Sequence, residues 1–178
     1  IMHQVKKLDK AVKPKSKEFK KWFGDSKIVD EKGQPMVVYH GTTKDFDEFR
    51  VPKVFSPTIY FSNDPDVANS YSIPWEDSPK DQPNVMPVYL KIENPFNYTL
   101  DLNKKEDREV ATDLDKKIYN EGFSTEVVDQ LKKEGYDGIV DERHNIYQVF
   151  EPNQIKGQFN PKPTKGPKIM FQTRKKSE

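Results

Sequence analysis

No cysteine occurs among the 178 residues. That absence removes disulfides, thiolate zinc sites and cysteine nucleophiles, and it leaves the compartment open. No apolar run approaches the roughly 18–20 residues needed to span a bilayer, and no signal peptide is visible. The reading is a soluble, cytoplasmic chain unless something delivers it elsewhere, a host cell included. Charge of one sign is missing too: 30 Lys and Arg stand against 29 Asp and Glu, a formal net charge of +1. Composition therefore gives no argument for nucleic-acid binding. A Gly-rich phosphate loop is absent, so a nucleotide would have to be held by another device. Carboxylates and histidines never fall at metal-ligand spacing, and no metal is expected.

Hydrophobic residues make up 33% of the chain and charged residues another 33%. The apolar ones concentrate between about residues 36 and 160, while both ends are rich in Lys and Pro. The length suits one domain with a core and is too short for two full-sized ones. The expected organisation is a flexible basic arm at 1–15, a folded domain at 16–160 and a Pro- and Lys-rich tail at 161–178 that resembles a linker.

Within the middle, Ser16 is placed to cap a short helix ending at Phe23, with Phe19, Trp22 and Phe23 on one face and Gly24 as its stop. Lys27–Asp30 and Pro35–His40, separated by Glu31-Lys32-Gly33-Gln34, read as two short strands around a tight turn. A loop carrying Phe46 and Phe49 leads to a strand at Thr58–Ser62. Asn63-Asp64-Pro65 then starts a helix expected to run to about Tyr71. The polar stretch 72–84 has no obvious element and the length of a lid or recognition loop.

A strand at 85–92, a helical region at 101–134 in two pieces split near Gly122, and strands at 136–140 and 146–150 complete the domain. Short strands joined by turns argue for an α+β fold with mainly antiparallel sheets and against a doubly wound parallel sheet.

Four pieces carry more than structure: Tyr39-His40-Gly41-Thr42, Ile59-Tyr60-Phe61-Ser62, Ala68-Asn69-Ser70-Tyr71, and the run Tyr147–Lys156 (YQVFEPNQIK). In this order they resemble the ADP-ribosyltransferases of the His-Tyr-Glu class, which includes the poly(ADP-ribose) polymerases and diphtheria toxin. Phe19–Asp30 and the run 147–156 are similar to the transferase domains in polyvalent proteins of phages and other mobile elements. The resemblance covers roughly 16–160. It implies an ADP-ribosyltransferase-like fold, two mainly antiparallel sheets forming a split core with flanking helices. NAD+ is the implied co-substrate.

The resemblance assigns His40 to a ribose hydroxyl of NAD+, and Gly41 to a close backbone clamp on the nicotinamide carboxamide. Tyr60 takes the stacking position, with Tyr71 as a second ring, because aromatic faces attract a flat cationic ring. Thr42, Phe61, Ser62 and Ala68 fill out the cofactor-binding set. The implied chemistry is cleavage of an N-glycosidic bond through an oxocarbenium-like transition state, to which the protein contributes positioning and electrostatics.

The class normally carries a glutamate just before the aromatic that opens the segment 147–150. Here Ile146 stands there, and its side chain can neither accept a hydrogen bond nor hold charge. The pattern reads His-Tyr-Ile, which argues against chain elongation. Gln148, two residues on and on the same strand face, is the candidate neutral replacement.

The resemblance thus implies a mono-ADP-ribosyltransferase, a phage- or toxin-associated effector modifying a host macromolecule, protein rather than nucleic acid. The alternative is a degenerate module of the same fold that holds NAD+ or ADP-ribose without turnover. A third option, an RNA-directed enzyme, would need basic residues around the cleft. As bare patterns Tyr60 and Ile146 fit a core strand face, Tyr71 fits helix packing, and Gln148 reads as a passive polar residue. Asp141 and Glu142 solvate a turn unless the hairpin folds back toward the site, and His144 beside them is a minor candidate.

Overall fold

A computed structural model describes residues 16–42, 46–53, 56–70 and 84–170. The chain opens with helix α1 (Lys17–Phe23), capped as its sequence requires: the Phe19 amide donates to Ser16 Oγ at 3.0 Å. Phe19, Trp22 and Phe23 fall at helical spacing on one buried face. That face meets Tyr89, whose ring stands edge-on to Phe19 at 5.1 Å. Gly24 ends the helix with φ +53°, a conformation that costs a residue with a Cβ. Of the two strands expected around the Glu31–Gln34 turn, the first is reduced to one antiparallel bridge, Val29 to Pro35, while the second survives from Val38 onward as a strand.

The strands are β1 (Val38–Thr42), β2 (Ile59–Ser62), β3 (Asn84–Leu90), β4 (Pro95–Asn97), β5 (Gly138–Asp141), β6 (Ile146–Val149) and β7 (Ile155–Gly157). Helix α2 (Pro65–Ser70) follows β2. The helical region between β4 and β5 divides into three pieces, α3 (Lys105–Val110), α4 (Asp113–Glu121) and α5 (Thr125–Lys133). Expectation had two. The extra boundary falls at Ala111-Thr112, where Thr112 and Asp115 form a capping box that starts a new helix.

Among the described residues the strands join one seven-stranded mixed sheet in the order β4-β5-β6-β2-β1-β3-β7, in which β4 and β5 are parallel and every other pair is antiparallel. This corrects the expected pair of sheets. The physical reason lies at the middle. β1 pairs with β3 at five positions and β2 with β6 at four, but β1 meets β2 only at Tyr39↔Ser62. The two halves of the sheet are stitched by one rung, so the split survives as a seam inside a continuous sheet.

Alternation along the strands gives two differently covered faces. One carries Val38, Ile59, Phe61, Val88 and Val149, closed by Ile28, Phe49 and Ile169. The other packs Ile139 and Phe150 under α4 and α5 through Ile118, Val127 and Leu131, and Tyr89 under α1. Asp141 belongs to the sheet and not to a solvated turn. It is 8% exposed, pairs with Ile146, and accepts from His144 Nδ1 at 2.7 Å.

The stretch 161–170, read as part of a linker, lies on the sheet edge, where Ile169 is 3% exposed within the core. The basic arm at 1–15, residues 71–83 of the helix end and polar loop, and 171–178 of the tail fall outside the described residues. Among the described residues, no helix is long and apolar enough to cross a membrane.

Gly138 shows how tightly the sheet packs. A Cβ there would meet two carbons of Ile92 at 2.8 Å and the Gln148 carbonyl oxygen at 2.9 Å. Backbone on one side and a buried residue on the other leave no cheap relaxation. Gly138→Ala is expected to destabilise by about 1–3 kcal/mol in urea unfolding. A loss below about 0.5 kcal/mol would show that the junction yields more easily than its geometry implies.

Candidate active site

The seam opens into a cleft of about 1040 Å³, just above the roughly 300–1,000 Å³ usual for ligand pockets. Its walls are Tyr39, His40 and Gly41 on β1, Thr58 to Ser62 on and before β2, Ala68 on α2, and Ile146 at the start of β6. The loop from Phe46 to Arg50 and Lys168 of the C-terminal segment close the remaining side.

Because Tyr39 and Ser62 are direct partners, Tyr39, Ser62 and Tyr60 share one face while His40 and Phe61 take the other. The two candidate side chains therefore reach the cleft from opposite sides of the seam. Where a further rung of the ladder would stand, His40 Nδ1 lies 2.7 Å from the Tyr60 carbonyl oxygen. A carbonyl can only accept, so Nδ1 carries the proton and Nε2 of the neutral ring is left as an acceptor.

Aromatic rings surround the imidazole. Phe49 stands edge-on at 4.9 Å, Phe61 is tilted at 5.4 Å, and Phe46 lies at 6.4 Å. Their desolvation holds the His40 pKa below its ordinary 6.5, with the bond to the Tyr60 carbonyl opposing in part. Near neutral pH the ring is an uncharged acceptor in an apolar surround.

Tyr60 is 39% exposed and lines the cleft, whereas the neighbouring Ile59 and Phe61 are buried. Gly41 lies where β1 has left the β2 ladder but still pairs with Val85 of β3. Ser62 is buried, and its Oγ accepts from the Asp64 amide at 3.1 Å, just ahead of α2. Thr42 ends β1 opposite Asn84 and does not reach the cleft wall. Tyr71 lies outside the described residues.

Ile146 does line the cleft, half-buried and paired with Ser62 on one side and Asp141 on the other. Gln148 does not. It is 2% exposed, and its Oε1 accepts from Thr58 Oγ1 at 2.7 Å, so it stands behind a wall residue.

Sequence reasoning saw Phe46 and Phe49 as loop residues but not as the frame of His40, since nothing in their spacing marks a partner. It gave no role to Arg50, which is exposed and has no carboxylate partner among the described residues. Lys168 was hidden in the tail, yet its Nζ lies 2.9 Å from Asp47 and 3.4 Å from Glu48 at the cleft rim. Among the described residues, no group of three or more His, Asp or Glu could hold a metal ion.

The family described as ADP-ribosyltransferase in polyvalent proteins matches residues 30–165. That span holds the cleft wall except Lys168, and the chain belongs to this family of ADP-ribosyltransferases. No match is found among curated proteins or among solved structures.

The state of His40 is directly measurable. An NMR titration of its ring protons should give a midpoint below 6.5. A folded-state value lowered in this way contributes stability that is complete above the unfolded value and is lost as pH falls through the folded one. His40→Ala should remove that part of the acid dependence. A midpoint at or above 6.5 would contradict the neutral acceptor.

Proposed function

We propose that this chain is an NAD+-dependent mono-ADP-ribosyltransferase acting on a macromolecular acceptor, a host protein rather than a nucleic acid. The observation that carries the reading is the neutral His40 acceptor, held by the Tyr60 backbone carbonyl in a cleft that the exposed Tyr60 also lines, in a chain whose family transfers ADP-ribose. The cleft has the size for a dinucleotide, and its residue types suit one. Tyr60 offers a π face to a cationic ring, and His40 Nε2 offers an acceptor to a sugar hydroxyl. Backbone of β1 beyond the single rung offers amide partners to a carboxamide. Arg50 brings a positive charge to the mouth of the cleft, where Lys168 is already paired with Asp47 and Glu48.

Bound NAD+ supplies nicotinamide as a leaving group that departs with the bonding pair, while an acceptor nucleophile bonds the same ribose carbon and gives up its proton. The chain's contribution is positional. His40, held by the Tyr60 carbonyl, orients the ribose without adding a positive charge beside the cationic ring. Phe46, Phe49 and Phe61 exclude water from the imidazole. Ile146 offers no hydrogen bond at the place where a carboxylate would orient an acceptor hydroxyl, and this supports single transfer over elongation. Gln148 acts through Thr58, as a positioning residue behind the wall.

Ile146 also favours a second reading, a module of the same fold that binds NAD+ or ADP-ribose without turnover. The two part in one experiment. The purified chain is titrated with NAD+ by calorimetry, then incubated with labelled NAD+ and candidate host proteins while nicotinamide release is followed. Binding with nicotinamide release and protein labelling is expected, and His40→Ala should weaken binding at least about tenfold, or ~1.4 kcal/mol. Binding without release would favour the module, and absence of binding would defeat both. Ile146→Glu should raise the rate at which NAD+ is hydrolysed; no gain would mean that position 146 does not face the ribose.

A further inference from the structure

The run Asn153-Gln154-Ile155-Lys156 was singled out in the sequence, but no part of it lines the cleft. Its first two polar members have architectural work. Asn153 offers its carbonyl to Trp22 Nε1 at 3.0 Å. Gln154 accepts from the Phe150 and Glu151 amides and donates to the Lys91 and Asp137 carbonyls, all within 3.0 Å. Ile155 is core. Lys156 remains unexplained, and it is the unusual one.

Lys156 sits on β7 with 0% exposure. Among the described residues no carboxylate pairs with it. Its Nζ donates instead to two backbone carbonyls, Gly166 and, at 2.8 Å, Lys168. Burial lowers its pKa from 10.5 to about 8, the direction expected when an ammonium loses water without gaining a countercharge. A Met or Leu would fill the same space without that cost. What a hydrocarbon could not supply is donors for the two carbonyls.

Those carbonyls belong to a short bent segment, residues 166–169, that lies between β7 and the loop forming the cleft rim. On one side Ile169 accepts through its carbonyl from the Gly157 amide and from Asn160 Nδ2, each at 2.9 Å. On the other, the Ile169 amide donates to the Asp47 carbonyl at 3.0 Å, and Lys168 bridges Glu48 as a strand partner. The Lys168 ammonium adds ion pairs to Asp47 and Glu48. Asp47 and Glu48 are flanked by Phe46 and Phe49, whose rings pack at 4.7 Å from each other and frame His40.

We propose that Lys156 is a positioning residue for the cleft: it holds the Gly166 and Lys168 carbonyls, seats the 166–169 strap against Asp47 and Glu48, and thereby sets Phe46 and Phe49 around His40. The C-terminal segment is then part of the site, and the rim loop has a defined shape only while the strap is seated. The effect on ligand affinity rests on the NAD+ reading above; the effects on the strap and on His40 do not.

The test compares the full chain with its Lys156→Met variant, which keeps the volume and removes the donors. Hydrogen exchange at the Asp47, Phe49 and Ile169 amides should accelerate at least about tenfold, while the Ile139 and Gln148 amides in the β5–β6 ladder stay within about threefold. The His40 ring midpoint should move up toward 6.5 as the phenylalanines loosen. NAD+ affinity should fall at least about tenfold. Unaltered exchange at 46–49 with an unmoved His40 midpoint would overturn the proposal, as would acceleration spread evenly over the sheet.

Should Lys156→Met fail to fold, Ile169→Ala and Asn160→Ala loosen the strap from its other contacts and are read by the same amides and the same ring. A wild-type chain that does not bind NAD+ would defeat the nucleotide reading alone, because exchange and the His40 titration need no ligand.

Discussion

The bond from His40 Nδ1 to the Tyr60 carbonyl spans the weakest line in the sheet, and the candidate site depends on it. β1 is laddered to β3 along its length and β2 to β6, so each half of the sheet is continuously paired. Between them runs one rung, Tyr39↔Ser62, and then a side chain takes over from the backbone. A fully paired β1–β2 edge would leave no cleft and no free backbone to meet a ligand. A wholly unpaired one would let the halves separate. One rung plus one imidazole holds the seam open at a set width and, with the same hydrogen bond, fixes the tautomer of the histidine that lines the cleft.

The same economy appears in the buried polar groups around the site. Thr58 and Gln148 satisfy each other behind the cleft wall, and Gln154 uses both ends of its amide on backbone groups from separate strands and turns. Lys156 does the like with a cation. Buried polar groups are costly unless saturated, and when saturated they specify one arrangement of the chain over its neighbours. Here they specify how the halves of the sheet, the rim loop and the C-terminal strap meet, which are the joints that the apolar core alone would leave loose.

Element by element, the sequence was most legible where the signal is local. Ser16, the Phe19–Trp22–Phe23 stripe and Gly24 mark α1, and Asp64-Pro65 marks α2, since caps and helical spacing act within a few residues. The Thr112 capping box was equally local and was passed over, which is why three helices stand where two were expected. Strand positions were legible but their partners were not. Whether the strands form one sheet or two depends on the β2–β6 and β1–β2 pairings, contacts between residues about 20 to 90 apart. Alternation gives the face of a strand and says nothing about its neighbour.

For the site, His40, Gly41, Tyr60 and Ile146 were readable as a series of short motifs, and all four line one cleft. Gln148 was placed on the correct face of β6 by alternation, but only packing decided that Thr58 would cover it. Likewise, Asp141 looked like a turn residue, and only the pairing of β5 with β6 places it inside the sheet. By itself, the sequence determined the family-bearing residues, the helix boundaries with caps and the absence of a carboxylate at position 146. Tertiary structure alone decided that the seam is a single rung, that three phenylalanines strip water from His40, and that a lysine from the apparent linker forms part of the rim. Those outcomes arise from desolvation and from hydrogen bonds between distant segments, and neither is encoded within any short window of the chain.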